Sequence, residues 1–465
     1  MLFVKTLRLK YSFKFAWINF DELIRGEQNN LKQKVLLRFP LEEKQFVFSY
    51  KKVVIMKKTL AAVAVLGAFA GSALAADVTL YGKVDLGLQY MNTNTDQVIL
   101  SGDDELQRIT GMQNVKKDSW GVKSGSNTGS RFGLKGTEQI ADGLTVGFQL
   151  EQGFNADDGT LGADGLAFNR EARLYVQTEF GEIGLGRMGG LDSGLGSYDI
   201  ISKGYAFGTG WNSIGDTSAI LLGESSRMDN MITYKSPTFA GVTVLAQVSL
   251  AKTSVEEGEG SSDVDRYYAL GATGNWGALS SALIFSTTDY SRTWVNGTTA
   301  AEKEEAKEDG HEDMSKVLTG YVSYDFGVVK PMLAAQYFDD LKGMSVSAVL
   351  GEGAKTDGLN EYLGSLSKKG YGVILGATAP LGAGTLFASV GYNDFESTVS
   401  DDLDGKVKFD TVQFGIGYQY PLSKRTYVYT AAGYTKLSGD FKEDGKKYDP
   451  ETKTTEVVAG IVHNF

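Results

Sequence analysis

GLTVGFQLEQGF (Gly143–Phe154) reads as two interleaved faces. Leu144, Val146, Phe148, Leu150 and Phe154 fall on one, Thr145, Gly147, Gln149, Glu151 and Gly153 on the other. Alternation held over a dozen residues predicts a strand with one apolar and one polar face. The same pattern opens the chain beyond residue 77. There Val78, Leu80, Val84, Leu86, Leu88 and Tyr90 oppose Thr79, Lys83, Asp85 and Gln89. It returns in TYVYTAAGYTK (Thr426–Lys436). Strands of about 10 residues, apolar outside and polar inside, are what a membrane-spanning barrel requires.

Between such strands the connections alternate in length. Tight ones fall at IADG (Ile140–Gly143), FGE (Phe180–Glu182), SPTFAG (Ser236–Gly241), NWG (Asn275–Gly277), FG (Phe326–Gly327), PLGAG (Pro380–Gly384) and PLSKR (Pro421–Arg425). Long ones are expected over 93–127, 155–167, 189–226, 252–263, 291–314, 341–368, 396–408 and 438–453. Seven tight turns and eight long loops predict an all-β fold, a 16-stranded antiparallel transmembrane β-barrel with short turns on the periplasmic rim and long extracellular loops. Sixteen strands enclose a water-filled lumen, whereas eight are filled by side chains.

The ends of the chain agree. Met56 begins a second reading of the N-terminus, with Lys57 and Lys58, a mostly apolar run from Thr59 to Ala73, and Ala73-Leu74-Ala75 as a small-x-small cleavage site. That is the three-part form of a secretory signal peptide over 56–75. Residues 1–55 then read as a start placed too early, and 76–465 as the exported barrel. VVAGIVHNF (Val457–Phe465) is an amphipathic strand ending on an aromatic. Taking away the 13 basic and 5 acidic residues of positions 1–75 from totals of 46 and 57 leaves a net charge of −19, which argues against a nucleic-acid partner. With no cysteine there is no disulfide, thiolate metal site or thiol nucleophile. Six prolines in 465 residues suit long hydrogen-bonded strands.

Several segments together resemble the trimeric general-diffusion porins of the Gram-negative outer membrane, nearest the neisserial type. They are DVTLYGKVDLGLQY (Asp77–Tyr90), SRFGLKGTEQIADGLTVGFQLEQGF (Ser130–Phe154), EARLYVQTEFGEIGLGR (Glu171–Arg187), RMDNMITYKSPTFAG (Arg227–Gly241), YPLSKRTYVYTAAGYTK (Tyr420–Lys436) and GIVHNF. The resemblance implies a passive channel for small hydrophilic solutes and ions, with no reaction catalysed. It also implies a homotrimer, and an inward-folded third loop whose acids face basic residues on the wall. The wall positions it implies are Lys83, Arg131, Arg187 and Arg227. Parity independently turns Lys83, Arg131 and Arg227 inward, with Lys135 and Arg173, but sets Arg187 with Ile183 and Leu185 on the lipid side. A bulge near Gly186 or Gly189 would re-aim it. The loop offers Asp192, Asp199, Asp216 and Glu224 as acids and Lys203 as a base. The resemblance further implies contact with outer-membrane lipid and lipopolysaccharide, and recognition by the barrel-assembly machinery through the strand ending at Phe465.

Other signals lead elsewhere. GLGRMGG (Gly184–Gly190) and GTGW (Gly208–Trp211) lack the strand–turn–helix setting of a nucleotide site. His311 sits in a charge run and His463 shares the outward parity of Phe465, so no inward base is offered to a nucleophile. No resident cofactor is expected. The acidic stretches Glu256–Asp265, Glu302–Asp313 and Asp401–Asp404 have the hard oxygens to take Ca²⁺ or Mg²⁺ alongside lipopolysaccharide phosphates. Two other functions fit a barrel: an adhesin or surface receptor that only displays its loops, and a sugar-selective channel. The latter would use Tyr198, Tyr205, Phe207 and Trp211 of the third loop as an aromatic track.

Overall fold

A computed structural model describes residues 78–101, 108–163, 165–208, 210–215, 217–223, 226–252, 264–290, 314–342, 367–398, 406–443 and 445–465. The expected signal peptide, the segment before it, Asp216, Glu224, His311 and nearly all of the three acidic stretches lie outside them.

The strands follow one another as an antiparallel meander: β1 (Thr79–Ser101), β2 (Arg108–Ser124), β3 (Arg131–Ala141), β4 (Leu144–Gly153), β5 (Glu171–Thr178), β6 (Gly181–Gly189), β7 (Arg227–Lys235), β8 (Val242–Ser249) and β9 (Arg266–Trp276). The second half holds β10 (Leu279–Asp289), β11 (Lys316–Tyr324), β12 (Lys330–Leu341), β13 (Lys368–Leu381), β14 (Gly384–Thr398), β15 (Lys406–Pro421), β16 (Thr426–Glu443), β17 (Lys446–Tyr448) and β18 (Glu451–Asn464). β2 and β3 lie end to end along β1, which pairs with β3 from Thr79 to Lys83 and with β2 from Leu86 onward. β17 pairs only with the outer end of β16. Counted around the wall, the barrel therefore has sixteen strands, and it is closed.

Closure joins β1 to β18, from Lys83 opposite Asn464 to Thr95 opposite Thr452. Phe465 completes the seam: its N–H donates to the Gly82 carbonyl at 3.0 Å and its carbonyl accepts from Gly82 N–H at 3.2 Å. The Phe465 ring covers Gly82 so closely that a Cβ there would come within 2.4 Å of it. His463 faces outward, its Nδ1 2.9 Å from Thr426 Oγ1.

Two expectations need correction. The stretch 93–127 is mostly strand: β1 and β2 run on as a paired hairpin to Ser101 and Arg108, with an irregular link only over 125–130. Likewise β16 continues to Glu443 inside the supposed 438–453 loop. Beyond the bilayer neither face meets lipid, so both carry polar residues and the alternation that marks a spanning strand fades. The second correction concerns the lumen. Outward positions are apolar as expected, with Leu80, Leu88, Leu174, Leu270, Leu283 and Ile416 more than half exposed. The inward face is not uniformly polar, because Ala269, Ala282, Ile284, Ala334 and Ile374 are buried beneath the third loop.

Candidate pore constriction

The third long connection leaves β6 after Gly189 and rejoins β7 at Arg227, and its side chains pack on the inner face of the barrel. Its own composition takes it there. Leu191, Ile201, Ile214 and Ile220 are completely buried. Each side chain withdrawn from water contributes roughly 1.5–3 kcal/mol, and apolar residues of the lumen wall cluster with Leu191, Ile201 and Ile220. That wall is hollowed to receive the loop. A Cβ on Gly184 would sit 2.2 Å from the Tyr198 hydroxyl, and one on Gly372 only 2.0 Å from the Ile220 carbonyl.

Polar anchors fix the loop's path, and they come mainly from the wall. Glu171 accepts from Ser197 N–H (2.7 Å) and Oγ (2.8 Å), and Glu182 from the Tyr198 hydroxyl (2.5 Å). Gln336 Oε1 takes Gly223 N–H at 2.8 Å, and Asn393 and Gln413 donate to the Ala219 and Ser213 carbonyls. Glu456, 1% exposed, accepts from Asn212 Nδ2 (3.0 Å), Ser213 N–H (3.1 Å), Ser213 Oγ and Gln89 Nε2 (2.6 Å). Next to it Trp211 and Asn212 hold left-handed φ values of 75° and 51°. Such backbone strain persists only where surroundings over-determine it, and here Trp211 N–H also donates to the Asn127 carbonyl at 3.2 Å.

Of the loop acids, Asp192 and Asp199 turn to partners other than the basic wall, while Asp216 and Glu224 lie outside the described residues. Asp192 turns to the β9–β10 wall and accepts from the Tyr267 hydroxyl (2.8 Å) and Ser286 Oγ (2.7 Å). Asp199 closes its own turn, taking the N–H groups of Ile201 and Ser202 and the Ser202 hydroxyl. Burial pushes the Asp199 carboxyl above the ordinary aspartate range, against the lowering effect of those bonds and of Lys203. The four aromatic side chains proposed as a sugar track are all buried: Tyr198 2%, Tyr205 7%, Phe207 4% and Trp211 3% exposed. Trp211 packs against Phe207, Phe387 and Tyr429, each with ring centroids 5.5 Å away. They are anchors rather than a sliding surface, because a loop crossing a lumen must bury its largest groups to stay there.

On the other side, strands β1, β3 and β7 and the residue before β5 gather a basic group. Arg170 Nε lies 2.7 Å from Glu151 Oε1 and Arg131 Nε 3.7 Å from Glu151 Oε2, while the Tyr81 hydroxyl donates to that same oxygen at 3.0 Å. Lys83 lies in the field of Arg131, Glu151, Arg170 and Asp85, and Arg227 in that of Arg170, Glu151, Glu171 and Arg131. Lys83, Arg131 and Arg227 are thus brought together as expected, and Arg170 joins them. Lys135 stands apart over the Tyr81 ring at 5.3 Å. Arg173 is held between wall and loop, stacked on Tyr175 and Tyr198 and bonded to Glu182 and Gln149.

Arg187 is not part of this group. The register does shift between Gly186 and Met188, but the extra residue lies on β7. Gly184 and Met188 both touch the inward loop, so Arg187 between them keeps the outward parity of Ile183 and Leu185. Its charge is met by Asp229 at 2.5 Å, and its Nε donates to the Asn169 carbonyl at 3.0 Å. Asp229 belongs to the bulged stretch of β7, so the bulge delivers a partner to the arginine instead of turning the arginine inward.

The geometry is that of a wide barrel narrowed by a wall-anchored loop, with four cations around one directly paired carboxylate. The family model for Gram-negative porins matches residues 61–440. An outer membrane porin protein of Bordetella pertussis is 32% identical over 88% of this chain and all of its own length. Outer membrane porin protein 32 of Delftia acidovorans is 28% identical over 82% of this chain and 90% of its own. Among solved structures, an anion-selective porin from Comamonas acidovorans superposes with a TM-score of 0.56 at 22% identity, covering 84% of this chain and all of that one. The chain belongs to the Gram-negative porin family, and its barrel is a passive diffusion channel of the outer membrane.

Proposed function

We propose that this channel passes small hydrophilic solutes and ions without catalysis or energy coupling, and that its narrowest part favours anions. One observation carries the anion preference: Lys83, Arg131, Arg170 and Arg227 share a wall with three carboxylates, Glu151 paired with Arg131 and Arg170, Asp85 bonded to Asn127, Thr128 and Tyr429, and Glu171 bonded to Ser197 of the loop. Charge at a narrow place acts at close quarters, where low-dielectric walls weaken screening. Loop-tip acids at the mouth attract cations instead, but exposed charges fade beyond about 8 Å at physiological salt. Anion preference should therefore grow as ionic strength rises. The fold neighbour described as anion-selective supports the same sign.

Planar-bilayer recording of the unmodified protein in a salt gradient tests this. Ohmic steps with a zero-current potential moving toward anion preference at higher salt are expected. Silence would point to a closed barrel that only displays its loops, and a shift toward cations would remove the basic wall from control. The homotrimer, the contact with lipopolysaccharide, recognition by the assembly machinery through the strand ending at Phe465, and export by residues 56–75 belong to the same proposal. Loop-bound Ca²⁺ or Mg²⁺ beside lipopolysaccharide is proposed too, although among the described residues no cluster of three metal-ligating side chains occurs.

A further inference from the structure

The last pair of β1 with β2 is Leu86 opposite Ser124, and the first pair of β1 with β3 is Lys83 opposite Arg131. Residues 125–130 thus bridge a step of about 10 Å along β1, at roughly 3.3 Å per strand residue, with more chain than the step needs. The surplus is turned into the lumen. Gly125 opens the bend with a left-handed φ of 75°, and Ser126, Asn127 and Ser130 are buried. A plain connection would run over the rim, where water satisfies its backbone.

This one is held inside by Asp85, on the inward face of β1. Its carboxylate accepts from the N–H groups of Asn127 (2.7 Å) and Thr128 (2.8 Å) and from the Tyr429 hydroxyl (2.8 Å). Its own carbonyl accepts from Gly125 N–H at 3.1 Å. Asp85 is 0% exposed, and a charge so buried persists only when it is so partnered.

The held link touches both sides of the constriction. Toward the wall, the Gly129 carbonyl accepts from Arg131 Nη1 at 3.2 Å, and a Cβ on Gly129 would lie 3.0 Å from Arg170 Nη1. Toward the loop, the Asn127 carbonyl accepts from Trp211 N–H at 3.2 Å, and a Cβ on Gly210 would come within 1.8 Å of that carbonyl. Asn127 Oδ1 is itself fixed by the Tyr427 hydroxyl (2.7 Å) and Gln419 Nε2 (3.3 Å). We propose that Asp85 is a positioning residue for the constriction: through the 125–130 link it sets Arg131 and Arg170 on one side and Trp211 on the other, so that pore width and anion preference are fixed together. The inference rests on the basic wall proposed above as the seat of selectivity.

The sign of one measurement separates positioning from plain charge. Asp85→Asn removes a negative charge beside Lys83, so charge arithmetic alone would strengthen anion preference. A loosened link instead lets the two guanidinium groups spread and the loop detach. The zero-current potential of D85N in a salt gradient should therefore move toward cations while conductance and open-channel noise rise. Asn127→Ala, which leaves net charge unaltered, should produce both changes on a smaller scale, since losing one buried hydrogen bond multiplies a loosened population by about fivefold. A move of D85N toward anions with quiet, native conductance would overturn the proposal. Native potential and conductance in folded N127A would overturn it even if D85N fails to fold. An R131S/R227S channel recorded alongside identifies which idea has failed. A potential that it does not move removes the basic wall, and this inference with it; a potential that it moves but D85N and N127A do not removes Asp85 alone.

Discussion

Replacing Glu456 by Ala tests whether wall-to-loop hydrogen bonds set the width of the channel. The carboxylate is 1% exposed and accepts four hydrogen bonds, three of them from Asn212 and Ser213 of the loop. Hydrogen bonds to a charged group are worth about 1.5–3 kcal/mol each, so the gross loss is large. Lumen water would reclaim part of it, and Gln413 still donates to the Ser213 carbonyl. A net penalty of about 3 kcal/mol, the lower end for breaking a buried charged network, is the working figure. It multiplies the population with a detached 210–215 segment on the order of a hundredfold. The left-handed backbone at Trp211 and Asn212 would relax as the segment leaves, adding to the release. Single-channel recording should show larger conductance with rapid flicker in E456A, and an intermediate effect in E456Q, which keeps one acceptor oxygen. A folded E456A barrel with native conductance and quiet open-channel current would refute the reasoning.

Serine at both Arg131 and Arg227 should move the zero-current potential toward cation preference without abolishing conductance; an unchanged potential in the folded double mutant would take these residues out of the constriction. Arg187→Gln should instead leave the potential unchanged and lower the temperature at which the barrel loses its heat-modifiable gel mobility, since its charge is spent on Asp229. Asp199 gives the pH dependence. Because its native carboxyl titrates above the ordinary aspartate range, the fold binds a proton that the unfolded chain has released. The stability that this linkage gives is present at acid pH and is lost as pH rises through the native value. D199N should flatten that part of the stability-against-pH curve, and a curve identical to the unmodified protein's would exclude Asp199 as its source. N-terminal sequencing of the exported protein should begin at Ala76; any residue from 1–75 in it would contradict the signal-peptide reading.

Strand positions and the seven tight turns could be read from the sequence because both depend on neighbours a few residues away. The loop's chemistry could not. Asp192 looks like a free pore acid until Tyr267 and Ser286, 75 and 94 residues later, are found to hold it. Arg170 went unread because it stands one residue outside β5, where strand parity says nothing. The cue available was Glu151, an inward acid with no assigned cation. Arg187 shows the reverse. Alternation alone places it outward, as the structure does, against the inward position that the resemblance implies. The apolar inner wall of β9–β13 was hidden for another reason: a strand covered on both faces shows no alternation to read.

The seam between Gly82 and Phe465 has a kinetic consequence. Its partners lie more than 380 residues apart in the chain, so pairing β1 with β18 joins the first and last of the described strands. Loop-closure entropy makes such a pairing late and slow. Until it forms, the molecule is an open sheet with two bare edges, each able to template a wrong partner. Zipping the seam removes both edges in one event. A slip of one residue there would reverse one strand against the other and turn either Asp85 or Glu456 out into the hydrocarbon, so correct register carries its own large reward.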